Sequence, residues 1–537
     1  MHTGIGWTIK RVLAIVFTGC FLLTWSAPLS TAGDNGGQVV RIPFTSQAQL
    51  ERLTSRLDVW EVHRDEGYVV AFVGSQDRVW LTQEGFAFQP NPTPPIHPDT
   101  TGDYSCYRAI DSLYAQLSQW AAQYPDITSL DAIGQSFENR DLVVMHLTNH
   151  STTGFKPHFF LMANIHGREL ITNETAMTFI QTLLQGYGTD PDITWMLDYE
   201  EIDVLVSANP DGHVKNEPVQ LWAYWRKNTQ PYGSCGSTGY GVDLNRNSDF
   251  EWGTAGSSTD PCAETYRGPS ATSEPETQVV EKFVRSIFSD QRGPGESDAA
   301  PITTTGILIT LHSYGPLVLW PWGWTYAGAP NSAQLQQLGQ KLASFNGYTP
   351  QQSSDLYPTS GATDDWSYGE LGIASYTFEI GSNSDGFYPD CSRYDALIQP
   401  NISALLYAAK VARTPYLTPF GPDATGVTAS LTTTGSIALV TVLATISGGQ
   451  VISAAEVYVD TPPWAGGSPH DLTVTDGAFD ATVESVYGAF PTVGLTPGRH
   501  FVFVRGQDAA GYWGPVSAAF GEPIVLPHSM FLPLVIK

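Results

Sequence analysis

Basic side chains are scarce in this sequence: 26 Lys and Arg stand against 53 Asp and Glu over 537 residues, a formal net charge of -27. A protein that coats duplex nucleic acid needs a basic footprint, so no nucleic-acid partner is expected. Charged residues of both signs make up only 15%, a balance that fits a secreted protein better than a cytosolic one. Long apolar runs are missing apart from Val12 to Trp25, which follows Lys10 and Arg11 and leads to the small-x-small site Ser30-Thr31-Ala32. That run is too short for a comfortable membrane span and reads as a signal peptide over residues 1–32. Its removal leaves 24 basic side chains against 53 acidic ones. Cys20 lies inside the run, which continues through Phe21, Leu22 and Leu23, so an ordinary cleaved signal is expected rather than lipid attachment.

Cysteine is rare too. Beyond Cys20 there are only Cys106, Cys235, Cys262 and Cys391, an even number in an oxidising compartment, which favours disulfides. None forms a Cys-x-x-Cys pair, which argues against a cysteine-ligated structural zinc. No tandem repeat is present. What is abundant is core material: 42% hydrophobic residues exclude disorder throughout, and the length suggests two to four domains.

Residues 33–100 read as a small α+β unit with linker. Strands are expected at Val39 to Phe44, Val59 to Val62, Tyr68 to Val73 and Phe86 to Phe88, with helices at Gln47 to Leu57 and Gln76 to Thr82, giving βαββαβ order. The run Asn91-Pro92-Thr93-Pro94-Pro95 then breaks the pattern as an extended linker. Over residues 101–415 apolar strand runs alternate with helices. The strands are His158 to Asn164, Ile202 to Ser207, Ile307 to Leu311 and Ser375 to Phe378. The helices are Tyr107 to Tyr124, Asn173 to Leu184 behind a Thr172 or Asn173 cap, Pro275 to Phe288 and Ala333 to Phe345. Strands apolar on both faces predict a covered, mixed open sheet with helices on both faces, an α/β domain. Residues 416–537 change to Thr/Val/Ala-rich strands such as Ile437 to Ile446, Ala455 to Val459 and Phe501 to Gly506, and read as a β-sandwich.

The most informative string is His166-Gly167-Arg168-Glu169, directly after the run Phe159 to Ala163. A histidine and a carboxylate three apart can face one metal, and a catalytic zinc takes three protein ligands with one open position. Alone, the pair reads as a satisfied surface pair, and His312 alone as a histidine at the core edge. Their placement decides otherwise: His166, Glu169, His312 and Glu379 all fall just past the ends of separate apolar strands, where open α/β sheets place their ligand crevice.

With those motifs in place, the stretch from about Asp103 to Thr414 resembles the zinc metallocarboxypeptidases of the funnelin class, typified by the pancreatic A and B enzymes and their secreted bacterial T-type relatives. The resemblance implies one zinc held by His166, Glu169 and His312. It implies Arg226 of Trp225-Arg226-Lys227 at the oxyanion, Asn245 and Arg246 on the substrate's terminal carboxylate, Tyr357 as the mobile tyrosine above it, and Glu379 as general base. Arg168 and Tyr314 join the substrate contacts, and Asp243 supports His166 from behind. Cys235 and Cys262 match the family's commonest disulfide, and Cys106 is then expected to pair with Cys391 by elimination. Asp364 falls at the floor of the side-chain pocket, where an acid goes with Lys or Arg C-termini; the alternative is that it points at water. Trp320, Trp322 and Trp324 are expected to add apolar surface there. Gly167 departs from the serine common in the animal enzymes.

The implied protein is a secreted or cell-surface carboxypeptidase, monomeric, acting on peptide or protein C-termini, with an inhibitory propeptide released near Asn91 to Pro98 and no membrane span after processing. Two other readings stand beside it: a cell-wall or deacylating member of the superfamily, which would not need the full clamp of Asn245, Arg246 and Tyr357, and an inactive binding protein, which would be expected to lack a ligand or Glu379.

Overall fold

The computed structural model describes residues 37–92, 102–217, 224–233, 235, 240–434, 437–496 and 498–524. The expected signal peptide and the greater part of the expected cleavage linker lie outside the described residues.

The N-terminal segment forms β1 (Gln38–Pro43), α1 (Gln47–Thr54), β2 (Asp58–His63), β3 (Tyr68–Val73), α2 (Ser75–Gln83) and β4 (Gln89–Pro90), in the expected βαββαβ order. The strands make an antiparallel sheet ordered β2-β3-β1-β4. Its alternation is physical: Val40, Ile42, Val69, Ala71 and Val73 face a core completed by Leu50 and Leu53 of α1 and Leu81 of α2. The fourth strand is shifted from the expected Phe86 to Phe88. Phe86 plugs the core as α2 ends, and pairing begins only where Gln89 meets Arg41.

The central region runs α3 (Ile110–Gln123), β5 (Thr128–Gln135), β6 (Asp141–Leu147), β7 (His158–Ala163), α4 (Leu170–Gly186), α5 (Pro191–Tyr199), β8 (Glu201–Leu205), α6 (Pro210–Lys215), α7 (Pro275–Ile287), β9 (Ile307–Ser313), β10 (Leu317–Trp320), α8 (Ser332–Asn346), β11 (Thr349–Gln352), α9 (Ser353–Leu356), α10 (Thr363–Leu371), β12 (Ala374–Ile380) and α11 (Tyr394–Val411). Its eight strands form one mixed sheet ordered β11-β10-β12-β9-β7-β8-β6-β5. The four central strands β12, β9, β7 and β8 are parallel. Period two divides their side chains between the faces: Phe159 and Leu161 pack on the side of α3, α4, α8 and α11, and Phe160 and Met162 on the side of α7 and α10. Helix α4 starts at Leu170, with Glu169 in the cap position, so the expected start at Asn173 is corrected by one turn. Asn173 is buried in the helix, donating to Val206 O at 2.6 Å.

The last region contains β13 (Asp423–Thr434), β14 (Ile437–Ser447), β15 (Ile452–Val459), β16 (His470–Asp471), β17 (Thr473–Val474), β18 (Val483–Val493), β19 (His500–Asp508), β20 (Ser517–Gly521) and β21 (Pro523–Ile524). Sheets ordered β17-β18-β14-β13-β21 and β16-β15-β19-β20 enclose a core of Val440, Val442, Val457, Val486, Val502 and neighbours. Trp464 seats the sandwich on the central region, 5.1 Å from Trp195 and 6.0 Å from Tyr199 between ring centres. Asp192 joins the two parts further, receiving Lys410 Nζ at 2.6 Å and the Ala518 backbone N–H at 2.8 Å. Among the described residues no helix is long and apolar enough to cross a membrane.

Candidate metal centre and substrate cavity

Parallel strands deliver the reactive groups to one edge of the sheet. His166 and Glu169 follow β7, His312 sits near the end of β9, and Glu379 lies beside His312 in register on β12. His166 Nδ1 is 2.8 Å from Glu169 Oε1, and His312 Nδ1 is 3.1 Å from His166 Nδ1 and 3.2 Å from Glu169 Oε2. All three residues are buried. Glu169 Oε2 is buried against His312, and among the described residues no well-formed hydrogen bond satisfies it. Three donor atoms converging on one point, one of them unsatisfied, fit a tetrahedral dication with a position left over.

The surroundings fix these side chains. Asp243 Oδ1 lies 3.1 Å from His166 Nε2, and its other oxygen accepts from Arg226 Nε and Nη2 at 3.1 and 2.9 Å. Burial alone would raise the Asp243 pKa, but Arg226 and Arg246 outweigh it and hold the carboxyl well below its usual value. Gly167 is required by space: a Cβ there would lie 2.4 Å from the backbone of Gly212 in α6. Burial pushes Glu379 up to about 7, against the opposing charge of His312.

A cavity of 540 Å³ opens in front of this cluster, and His166, Glu169, Arg226, Asn245, Arg246, His312, Tyr314, Tyr357, Asp364, Glu379 and Arg168 all line it. Arg246 donates from Nε to Gly256 O and from Nη1 to Asn245 O, both at 2.8 Å, which holds its guanidinium in place. Asn245 Oδ1 accepts from the Thr363 N–H at 3.0 Å. Asp364 is buried on the cavity wall, with Oδ2 accepting from Ser353 Oγ at 3.0 Å; among the described residues no ion pair reaches it. The expected tryptophan wall is not there. Trp320 and Trp322 are core residues, Trp320 lying over Gly339 and Trp322 stacked on Phe250 at 5.1 Å, because the strand turns them away from the cavity. Leu319, Ala362 and Phe387 supply the apolar lining instead. Cys235 is bonded to Cys262 and Cys106 to Cys391.

Sequence reasoning missed the other side of the cavity. It is closed by β2, whose pleat is interrupted by a bulge between Val59 and Glu61. A bulge re-aims side chains that would alternate, and here Asp58, Trp60 and Glu61 all reach the central region. Asp58 accepts from both terminal nitrogens of Arg168 at 2.6 and 2.7 Å. Trp60 meets Phe387 edge-on at 5.3 Å, and Glu61 receives Tyr314 Oη at 3.4 Å and Asn383 Nδ2 at 3.2 Å. Arg64 donates to the carbonyls of Asp355 and Leu356, immediately before Tyr357. Isolated carboxylates on a short strand carry no signal that would have marked them.

Comparison with known proteins agrees with this geometry. The profile of the zinc carboxypeptidase family matches residues 113–402. Carboxypeptidase A1 of Rattus norvegicus is 33% identical over 286 residues, 52% of this chain and 63% of that protein. A zinc carboxypeptidase of Saccharothrix mutabilis subsp. capreolus is 32% identical over 316 residues, 57% of this chain and 70% of its own length. Among solved structures, carboxypeptidase A from Helicoverpa armigera superposes with a TM-score of 0.56 at 23% identity, over 71% of this chain and 98% of its own, and shares the fold. The chain belongs to the zinc carboxypeptidase family. Its match spans a little under two thirds of the rat enzyme's length.

Proposed function

We propose that the protein is a zinc-dependent carboxypeptidase that removes C-terminal residues from peptides and proteins. The observation that carries the reading is the convergence, in one cavity, of the His166, Glu169 and His312 donors, the carboxyl of Glu379, and the guanidinium groups of Arg226 and Arg246.

His166, Glu169 and His312 would hold the zinc, which when bound polarises the scissile carbonyl and acidifies a water. Glu379 takes the water's proton and hands it to the leaving amine. Arg226, fixed by Asp243, faces the developing oxyanion, a role worth about 3 to 4 kcal/mol for a preorganised donor. Arg246, with Nε and Nη1 tied to carbonyls, keeps Nη2 for the substrate's terminal carboxylate, and Asn245 adds its amide. Tyr357 closes over that end. An internal peptide bond has no carboxylate for this clamp, so action at the chain end follows.

Asp364, buried beside Ser353 with no cation paired to it among the described residues, favours a Lys or Arg side chain, and Leu319 and Ala362 leave room for hydrophobic ones. Arg168 and Tyr314 would contact substrate once freed from Asp58 and Glu61. The N-terminal unit is thus an inhibitory propeptide, and its removal near residues 91–98 opens the cavity. The two disulfides support a secreted or cell-surface location after signal removal. The protein is proposed to act as a monomer. The test is a panel of blocked dipeptides ending in Lys, Arg, Leu, Phe or Glu, run on protein trimmed at the linker, with and without chelator. Chelator-sensitive release of Lys and Arg supports the reading, and no release from any member refutes it.

A further inference from the structure

The opposite edge of the central sheet carries a second set of metal-type donors that the catalytic reading does not use. His146 on β6 and Asp203 on β8 are directly paired across the antiparallel ladder, and His158 on β7 pairs with Glu201 on β8, two residues earlier. Residues two apart on a strand share a face. The three strands therefore bring two imidazoles and two carboxylates to one face, where β7 and β8 begin and β6 ends. β7 separates the centres: His158 opens the strand and His166 lies beyond its far end, so the two are roughly 17 Å apart along it or more.

We propose that this cluster is a second metal site, for a first-row divalent transition cation such as zinc, ligated by His146, Glu201 and Asp203. His146 Nδ1 lies 2.6 Å from Asp203 Oδ1 and 3.9 Å from Glu201 Oε1, and the three donor atoms fall within 4.8 Å of one another. Donors bound at about 2.0 to 2.2 Å around a tetrahedral ion sit roughly 3.3 Å apart, inside this spread. His158 Nδ1, 2.8 Å from Asp203 Oδ2, holds the carboxylate's other oxygen and thereby points the first at the ion, the arrangement usual behind metal ligands. Asp203 is fully buried, while Glu201 and His158 border a 440 Å³ cavity open to solvent, which provides an entry path and room for water on the remaining position. Lys156, which also lines that cavity, is turned to Thr148 Oγ1 and Asn149 O at 2.7 and 2.8 Å. Imidazole with two carboxylates suits zinc and its neighbours better than calcium, which prefers six or more oxygens. Bound there, the ion would tie β6 to β8 directly, with β7 joined to them through His158 and Asp203, in the sheet that positions His166.

The test is zinc stoichiometry of the full chain after demetallation, reloading and dialysis, read by elemental mass spectrometry. The wild type should hold two zinc ions per chain. Glu201→Gln and His146→Gln should each hold one and keep peptidase activity on the trimmed form, which also reports that they fold. His158→Gln should keep the second ion with an affinity lowered 10- to 100-fold. His166→Gln should hold one ion and lose activity, so the two sites fail separately. One ion per chain in the wild type, or a second ion retained by both Glu201→Gln and His146→Gln, would overturn the proposal.

Discussion

Asp58 of the N-terminal sheet grips Arg168, which stands between His166 and Glu169, through two hydrogen bonds of 2.6 and 2.7 Å, both side chains almost wholly buried. The guanidinium also lies 4.0 Å above the Phe387 ring. On the proposed reading, an arginine so paired and stacked is withheld from substrate while the N-terminal unit is docked.

Asp58→Asn should therefore loosen the N-terminal unit without touching the catalytic groups. Breaking one partner of a buried pair costs about 3 to 5 kcal/mol, and even the smaller figure allows a more than tenfold rise in hydrolysis by the untrimmed protein. Rates on a Lys-ending dipeptide for untrimmed wild type and variant check this, with the trimmed forms expected to be equal.

The same pair sets an acid response. Burial would raise the Asp58 pKa, but Arg168 outweighs it and holds the carboxyl below 3.8. A depressed folded-state pKa stabilises docking above the ordinary aspartate value, and that contribution is lost only as pH falls through the folded one. Mild acid between pH 5 and 6 should accordingly leave the unit docked, and activation there without cleavage would contradict the assignment. Limited proteolysis across a pH series measures it.

Asp364→Asn retains the shape of the cavity wall and removes the charge. With the carboxylate unpaired among the described residues, kcat/KM for Lys and Arg substrates should fall by about 10- to 100-fold, the equivalent of 1.4 to 2.8 kcal/mol for a charge-assisted contact. Leu and Phe substrates should change little. Equal losses on all four would mean that Asp364 supports the α10 segment and does not read the side chain.

Much of this arrangement is legible in the chain itself. The run Phe159 to Ala163 is apolar at every position, and Ile307 to Leu311 at every position but Thr310, because both faces of the central strands are covered, and the groups that follow them fall at one sheet edge. The tryptophans after His312 misled because an aromatic in sequence near a site says nothing of which face it takes: Trp320 and Trp322 turn into the core. Asp58 and Glu61 were invisible since a bulge, not the strand's periodicity, aims them. The Asp203 cluster escaped for a related reason: His146, His158 and Asp203 lie on three strands, and only the register across β6, β7 and β8 assembles them.

Glu379→Gln should bind zinc as the wild type does, since His166, Glu169 and His312 are intact, yet lose several orders of magnitude in kcat for want of a proton carrier. Turnover close to that of the wild type would remove Glu379 from the mechanism.

The central claim is that the cavity hydrolyses the last peptide bond of a chain with a free terminal carboxylate. It is tested most directly by following, by mass spectrometry, one peptide ending in Lys and its C-terminally amidated twin, each with the trimmed protein. The account predicts stepwise loss of single residues from the free-acid peptide, abolished by chelator, and at least a hundredfold slower loss from the amide, because Arg246 and Asn245 have no carboxylate to hold. Equal rates on the two peptides, or cuts at internal bonds, would contradict it.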